Sequence, residues 1–303
     1  MATEIAFNRE LAFRYGDAEA VSPLIRRVVA NNPSPFTFKG TGTYIVGRGA
    51  VAVIDPGPDM DDHVAALLRA LEGETVSHIL VTHTHLDHSP AAAALKAATG
   101  ARTYGFGPHG SGRAEESDLG PVEEGGDREF VPDIAMRGGD TVGGPGWRIE
   151  AVETPGHTSN HLCFALPEEK TLFTGDHVMG WSTSVIAPPD GDMAAYMRSL
   201  DKLLKRDDAT YWPTHGPAIP DPKPYVASFV AHRRERAAAI LDRLKAGDRT
   251  IPEIVASVYR GLDPRLFKAA ERSVLAHLIE LRERGAVAAD GPPSLSARWR
   301  PRG

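Results

Sequence analysis

The chain has 303 residues, 42% hydrophobic and 24% charged, the balance of a soluble globular protein with room for one large domain or two ordinary ones. Its formal net charge of −6 excludes a protein that coats nucleic acid by bulk electrostatics, while leaving a local basic patch open. The single cysteine, Cys163, excludes an intrachain disulfide and a zinc site built from cysteines.

The first 13 residues carry Glu4, Arg9 and Glu10 and no apolar core of the signal-peptide kind, so no secretory leader is expected. No run of about 18 apolar residues occurs, so no membrane span is expected. A cytoplasmic location is the corresponding expectation, and the cysteine usage is compatible with it. Residues 24–29, 44–46 and 51–54 read as strands, rich in Val and Ile and separated by Gly, Asn and Pro. Residues 59–71 read as a helix, with Val64, Leu67, Leu68 and Leu71 at i, i+3, i+4 and i+7. A short apolar strand at 77–82 leads into His83-Thr84-His85-Leu86-Asp87-His88. Ser89 or Pro90 then opens an alanine-rich helix to about residue 98, which Gly100 ends.

Residues 105–126, rich in Gly, Ser and Glu without periodicity, read as a long surface loop. Strands resume at 147–153, 162–166 and 171–174. A helix over 193–204 precedes a strand at 210–212, which leads into His215. Beyond Pro220 the pattern changes. Residues 222–247 read as one amphipathic helix, with Val226, Phe229, Val230, Ala237, Ile240, Leu241 and Leu244 on a stripe. A segment at 250–258, a helix at 264–284 stopped by Gly285 and a strand at 286–289 follow. That order predicts a winged-helix module, with a boundary at 222 that divides 1–221 from 222–303. The Pro-, Ser- and Arg-rich tail after Gly291 is expected to be loose.

Side chains at i and i+2 of an extended segment share a face, so His83 and His85 are placed to hold one metal ion together. A turn into the next helix aims Asp87 and His88 at a second ion. Imidazole and carboxylate suit zinc well, and iron or manganese acceptably. Three further donors follow strands on turns marked by Gly or Pro. They are His157 in Glu153-Thr154-Pro155-Gly156-His157-Thr158, Asp176 in Phe173-Thr174-Gly175-Asp176, and His215 in Trp212-Pro213-Thr214-His215-Gly216. Singly each reads equally as a turn residue or a polar histidine; as a set beside the 83–88 run they point to metal binding. His63, His78, His109, His177, His232 and His277 are read as ordinary polar histidines.

The THTHLDH run resembles the H-x-H-x-D-H signature of the metallo-β-lactamase superfamily, and TPGHT, FTGD and the His of PTHGP resemble its later motifs in order, over residues 24 to 220. The resemblance implies an α+β fold, a four-layer αββα sandwich with the metal site at one edge between two mixed sheets. It implies two divalent ions, zinc first among them. His83, His85 and His157 would hold one, and Asp87, His88 and His215 the other, with Asp176 bridging. Class B β-lactamases carry Cys where Asp176 stands, and flavodiiron oxygen reductases carry Glu where His85 stands, so neither activity is expected. A persulfide dioxygenase has a similar motif but usually no separate C-terminal module. The run Ile251-Pro252-Glu253-Ile254-Val255-Ala256-Ser257-Val258-Tyr259 and residues 270–281 resemble the winged-helix tail of the β-lactamase-like protein 2 branch, some of whose members cleave single-stranded RNA.

Two dications about 3.5–4 Å apart would supply hydroxide near neutral pH and polarise the oxygen that gains charge. The expected activity is hydrolysis of an ester, thioester, lactone or phosphodiester, with a small-molecule acyl compound or single-stranded RNA as substrate. Asp87 is taken as catalytic as well as ligating. His161 is the candidate proton donor or ligand support, with a packed histidine the equal alternative. Asp55 is either a carboxylate that orients a ligand histidine or a turn residue. A winged-helix nucleic-acid-binding regulator with a structural metal site is the competing class. The tail's Arg233, Arg234, Arg236, Arg243 and Lys245 are interspersed with Glu235, Asp242 and Asp248, which fits a solvated helix face as well as an RNA groove. No aromatic stacking series accompanies them. The module is equally expected to shape the mouth of the active site or to form a homodimer. Trp181, Ser182, Thr183 and Ser184 are candidates for lining the pocket, and the 105–126 loop for covering it.

Overall fold

The computed structural model describes residues 5–113 and 125–302. The first sheet has seven strands in chain order, β1 (Ala18–Ala20), β2 (Ile25–Val29), β3 (Gly42–Arg48), β4 (Ala50–Ile54), β5 (Thr75–Leu80), β6 (Arg102–Gly105) and β7 (Ile134–Ala135). Pairing is antiparallel from β1 to β4 and parallel from β4 to β7. Helix α1 (Asp61–Ala70) makes the crossover from β4 to β5, and α2 (Ala91–Thr99) that from β5 to β6. Gly100, in the left-handed region, ends α2 as the sequence indicates.

The second sheet runs β13-β12-β11-β10-β9-β8. Its strands are β8 (Thr141–Gly144), β9 (Trp147–Glu153), β10 (Leu162–Leu166), β11 (Thr171–Gly175), β12 (Thr210–Pro213) and β13 (Ile219–Pro220). Helix α3 (Met193–Leu203) connects β11 to its parallel neighbour β12. Because β9 and β11 each pair antiparallel with β10, strands β9, β11 and β12 all end at the same edge.

Alternation along the strands builds the layers. Tyr44, Val46, Ala52 and Ile54 face Ile149, Ala151, Phe164 and Phe173 of the other sheet, forming the central core. The intervening Ile45, Val51 and Val53 face Leu67 of α1 and Leu95 of α2. Cys163, Ala165 and Leu172 turn outward onto Tyr196 and Leu200 of α3. Both faces of each sheet are therefore buried, which is why the strands read as nearly continuous apolar runs. Each fully buried Val, Ile, Leu or Phe contributes about 1.5–3 kcal/mol relative to exposure.

The C-terminal part comprises α4 (Pro222–Ala246), α5 (Ile251–Val258), a 3₁₀ turn at Pro264–Leu266, α6 (Phe267–Glu283) and the antiparallel pair β14 (Val287–Ala289) and β15 (Trp299–Pro301). The helix expected over 264–284 thus opens with a tighter turn, set by Pro264 and by Asp263, whose side chain accepts from the Arg265 amide. Helix α4 serves two cores. Its Val226, Phe229 and Val230 pack with α3, while Ile240 and Leu244 pack with α5, α6 and Trp299.

Several expectations need correction. The tail after Gly291 is not loose throughout, because Trp299 is fully buried in the C-terminal core and its amide donates to Arg249 O at 2.8 Å. One aromatic anchor outweighs the turn-like composition around it. The strands β1, β6, β7, β8 and β13, two to four residues long, escape detection by periodicity. His63, His177 and His277 are buried rather than exposed polar residues. His63 Nε2 lies 3.0 Å from Thr43 Oγ1 and 3.1 Å from Pro56 O, while His277 is enclosed by α6's own packing against α4. Of the 105–126 segment, residues 114–124 lie outside the described residues. Among the described residues no helix is long and apolar enough to cross a membrane.

Two stability tests follow from this packing. Trp299→Ala is expected to cost about 3–5 kcal/mol, read as a lowered urea midpoint. Burial, with Arg233 nearby, pushes the His277 imidazole down to about 3 from 6.5. The unfolded chain therefore binds a proton below pH 6.5 that the folded chain refuses until about pH 3. This share of stability is present above pH 6.5 and is lost as pH falls. Between pH 7 and 5, His277→Leu should lose about 2 kcal/mol less stability than the unaltered protein.

Candidate metal centre

The edge where β4, β5, β9, β11 and β12 end collects the donors found in the sequence. Asp55 follows β4, the 83–88 run follows β5, and His157, Asp176 and His215 follow β9, β11 and β12. Two glycines make the approach of these loops feasible. A Cβ on Gly156, at φ +144°, would lie 2.3 Å from Tyr196 Cα, so this glycine lets the His157 turn settle on α3. A Cβ on Gly175, at φ +50°, would lie 2.7 Å from His161 Nε2 and 2.8 Å from Thr82 Oγ1. Only glycine lets the end of β11 lie that close to the 82–88 loop.

Three donor groups result: His83, His85 and His157; Asp87, His88 and His215; and His83, His88 and Asp176. Within each group the ligand atoms all lie within 4.8 Å of one another. His85 Nδ1 stands 2.9 Å from His83 Nε2 and 3.1 Å from His157 Nε2. Asp87 Oδ2 is 3.1 Å from His215 Nε2 and 3.5 Å from His88 Nε2. Asp176 reaches both sides, with Oδ2 at 3.6 Å from His88 Nε2 and 3.8 Å from His157 Nε2, and Oδ1 at 3.5 Å from His215 Nε2.

The outward nitrogens fix how these rings face. His88 Nδ1 lies 2.9 Å from Asp55 Oδ2, His157 Nδ1 2.6 Å from Val185 O and His215 Nδ1 3.2 Å from Gly40 O. Each acceptor holds the proton on Nδ1 and turns the Nε2 lone pair into the cluster. His83 Nδ1 has Thr82 Oγ1 at 3.0 Å, and that hydroxyl donates to Asp55 Oδ2. With Nε2 of His83 and of His157 both aimed as lone pairs at His85 Nδ1, one proton satisfies at most one of these contacts. Nε2 of His88 and His215 and Oδ1 of Asp176 are buried without an aligned hydrogen bond. Such an arrangement fits divalent cations, whose charge replaces the missing donors.

The electrostatics agree. Burial, then His88 and His85, hold His83 well below the ordinary histidine range. Burial alone would raise Asp87 and Asp176, but His88 and His215 hold both carboxyls below the usual range. Burial opposes charge on His88, yet Asp87, Asp176 and Asp55 raise it well above the usual value. His215 is raised against the same penalty by Asp176 and Asp87. A cation entering the cluster would take over the role of the protons on these rings.

Asp55 lies at the base of the cluster and adopts a positive φ of 50°, a conformation that Asp tolerates. Its Oδ1 accepts from Thr82 N, and its Oδ2 from Thr82 Oγ1, Thr214 Oγ1 and His88 Nδ1. With four hydrogen bonds, one of them to a donor histidine, it is more than a simple turn residue. Thr82 and Thr214, which carry no signal in the sequence, each stand immediately before a donor histidine. His161 is buried, with Nδ1 at 2.9 Å from Thr154 Oγ1 and its ring stacked on His83 at 5.1 Å. Burial, then His177 and His157, lower it well below the ordinary value. His109, an ordinary polar histidine by its sequence, contacts Thr84 Oγ1 through Nδ1 at 2.9 Å behind His85.

A cavity of about 630 Å³ opens over the cluster, in the size range of small-ligand sites. His85, Asp87, His157 and Asp176 form one end. Trp181, Ser182, Thr183 and Ser184 line it, and Phe38 stacks on Trp181 at 5.0 Å. The C-terminal helices supply another wall through Arg233, Arg236, Tyr259 and Arg272. Packing over the site is thus observed for this module. Arg233 is buried, donates to Ser184 O and lies over the Tyr196 ring at 5.2 Å, so a solvated helix face does not describe it.

Comparison with known proteins agrees with this architecture. The family model for the metallo-beta-lactamase superfamily matches residues 37–215, and that for the beta-lactamase associated winged helix domain matches residues 250–299. The lactamase-like protein adaB of Aspergillus niger is 31% identical over 94% of this chain and 88% of its own length. An atrochrysone carboxyl ACP thioesterase, dmxR1 of a Cryptosporiopsis species, is 32% identical over 78% of this chain and 68% of its own. A metallo-beta-lactamase family protein from Thermus thermophilus superposes with a TM-score of 0.75 at 27% identity, over 93% of this chain and all of that one. Sandwich, winged helix and His/Asp cluster together identify the chain as a hydrolase of the metallo-beta-lactamase superfamily.

Proposed function

We propose that the chain is a dinuclear, zinc-dependent hydrolase of acyl thioesters and related esters, with residues 1–221 as the catalytic unit and 222–303 as the winged-helix unit. The observation that carries the reading is the pair of donor groups joined by Asp176 and opening on a small-ligand cavity. The donor set is nitrogen and oxygen only, which suits zinc. Cys163 is fully buried, and burial pushes its thiol up to about 12, so it offers no thiolate to the site. The thioester preference is supported by the relative named as an acyl carrier protein thioesterase. A cavity of this size suits an acyl compound better than an RNA strand, and the RNA reading rests on the winged helix alone.

We assign His83, His85 and His157 to one ion and Asp87, His88 and His215 to the other, with Asp176 shared. Bound there, the ions supply an activated hydroxide and an electrophile for the acyl oxygen. The protein's own work is orientation. Asp55, Val185 O and Gly40 O hold three ligand rings in the tautomer that binds a cation. We place His161 behind His83 as a buried ring that supports it, since its Nε2 is sealed against Gly175 and it does not line the cavity.

The first test is a substrate panel with the metal-replete protein: S-lactoylglutathione, a simple ester, nitrocefin, bis(p-nitrophenyl) phosphate and a short single-stranded RNA. Acyl turnover abolished by a chelator and restored by zinc is expected; cleavage of RNA alone would replace this proposal with the nuclease one. Asp87→Ala should lower the metal content from about two ions per chain to about one and remove turnover. Asp55→Asn should cost roughly 10–100-fold in metal affinity or activity. An amide can accept at Thr82 N or at the Oδ2 cluster, but its other atom then meets donors with a donor. Unchanged zinc affinity and kcat in Asp55→Asn would show that the carboxylate does not orient His88.

A further inference from the structure

The wall of the cavity formed by the C-terminal helices has a feature the hydrolytic reading leaves unused. Three guanidinium groups, Arg233 and Arg236 from α4 and Arg272 from α6, line it. Among the described residues, none of the three meets a carboxylate within ion-pair distance. The only carboxylates among the cavity's described residues are Asp87 and Asp176, which belong to the metal cluster. Arg233 is 4% exposed, and its Nε is buried without a hydrogen-bond partner. Arg236 donates to Val258 O at 3.0 Å and lies over the Tyr259 ring at 4.7 Å, which holds its head in place. Arg272 makes no hydrogen bond or ion pair among the described residues.

Arg236 and Arg272 are half-buried beside the fully sequestered Arg233, and burying a guanidinium without an anion is costly unless one arrives to share it. Elsewhere the chain pairs its arginines readily: Arg206 with Asp208, Arg243 with Asp248 and Arg265 with Asp263. The local field is correspondingly positive. His232, on the same wall, is lowered to about 4, by burial first and then by Arg233 and Arg236. A planar guanidinium binds an oxyanion through two parallel hydrogen bonds, and several on one wall make a specific receptor for it.

We infer that the C-terminal helices form an oxyanion subsite, with Arg233, Arg236 and Arg272 receiving a phosphate or carboxylate carried by the same acyl substrate whose scissile carbonyl lies at the histidine end. The inference rests on the hydrolase reading for its direction: the anion sits away from the bond that breaks. The oxyanion has two possible sources. It is a carboxylate on the acyl half or a phosphate on the thiol half that leaves.

Three thioesters separate these cases in kcat/KM measurements with the zinc-loaded protein. They are S-butyryl-N-acetylcysteamine, which is neutral, S-succinyl-N-acetylcysteamine, with a carboxylate on the acyl half, and S-butyryl-phosphopantetheine, with a phosphate on the thiol half. One anionic substrate is expected to exceed the neutral one by roughly tenfold to a hundredfold, as for other charge-assisted contacts. Arg272→Met should cut that ratio about tenfold. The favoured substrate names the half that bears the anion. Equal kcat/KM for all three, or an unchanged ratio in Arg272→Met, overturns the inference. A second arm is independent of turnover: 1-propanesulfonate, an oxyanion that coordinates metals poorly, titrated against the fluorescence of Trp181. Binding weakened about tenfold by Arg272→Met supports the subsite even if no thioester is cleaved, in which case only the hydrolytic proposal falls. No binding to the unaltered protein, or equal binding to both, overturns the subsite.

Discussion

The Asp55 carboxylate is the constraint on which the rest of the site depends. It is fully buried and sits where the two sheets meet at their common edge. Burying a carboxylate is expensive, and here the cost is met by four hydrogen bonds from three residues. Two come from Thr82, on the loop after β5 of the first sheet. Another comes from Thr214, after β12 of the second. The fourth comes from His88. One anion thus ties the sheets together, sets the orientation of a donor ring and, through the Thr82 hydroxyl, steadies His83 as well. Any shift of one sheet over the other would break the charge's solvation and the cluster's geometry together.

The donors are legible because they occur at strand ends in short motifs, and short motifs survive reading without tertiary information. His83 to His88 stand out by density. His157, Asp176 and His215 stand out only as a set, since each alone is an ordinary turn residue. What escapes detection is determined by contacts distant in sequence. Asp55 stays open between an orienting carboxylate and a turn residue because its four hydrogen bonds come from Thr82, His88 and Thr214, as far as 159 positions away. His63 and His277 read as surface polar residues because burial is set by neighbours on other elements. The same limit explains Trp299, whose core partners on α5 and α6 outweigh a tail of Pro, Ser and Arg.

The arginines of α4 are the sharpest case of that limit. A run of Arg and Glu on a long helix carries the same pattern whether it faces water or a cavity. Only the placement of α4 between two cores decides. The first half of the helix is held by α3 and the second by α5 and α6, so residues near its middle are presented to the site from a rigid support. Arg233 illustrates the outcome, bonding to Ser184 O in the segment that follows Asp176. The winged helix is therefore part of the wall around the chemistry, whatever else it does.

The order of these parts along the chain has a consequence for how such an enzyme diversifies. Every donor of the cluster lies before residue 216, on loops tied to Asp55 and to the sheets, where substitution disturbs bond-breaking itself. The guanidinium wall lies after residue 232, on helices shared between the sheet core and a C-terminal core. On the subsite inferred above, the part of the wall that would receive an anion is encoded apart from the donors, while Trp181 to Ser184 keep another part of the lining beside them. Substitutions in the final segment would then alter that wall while leaving the donor loops as they are.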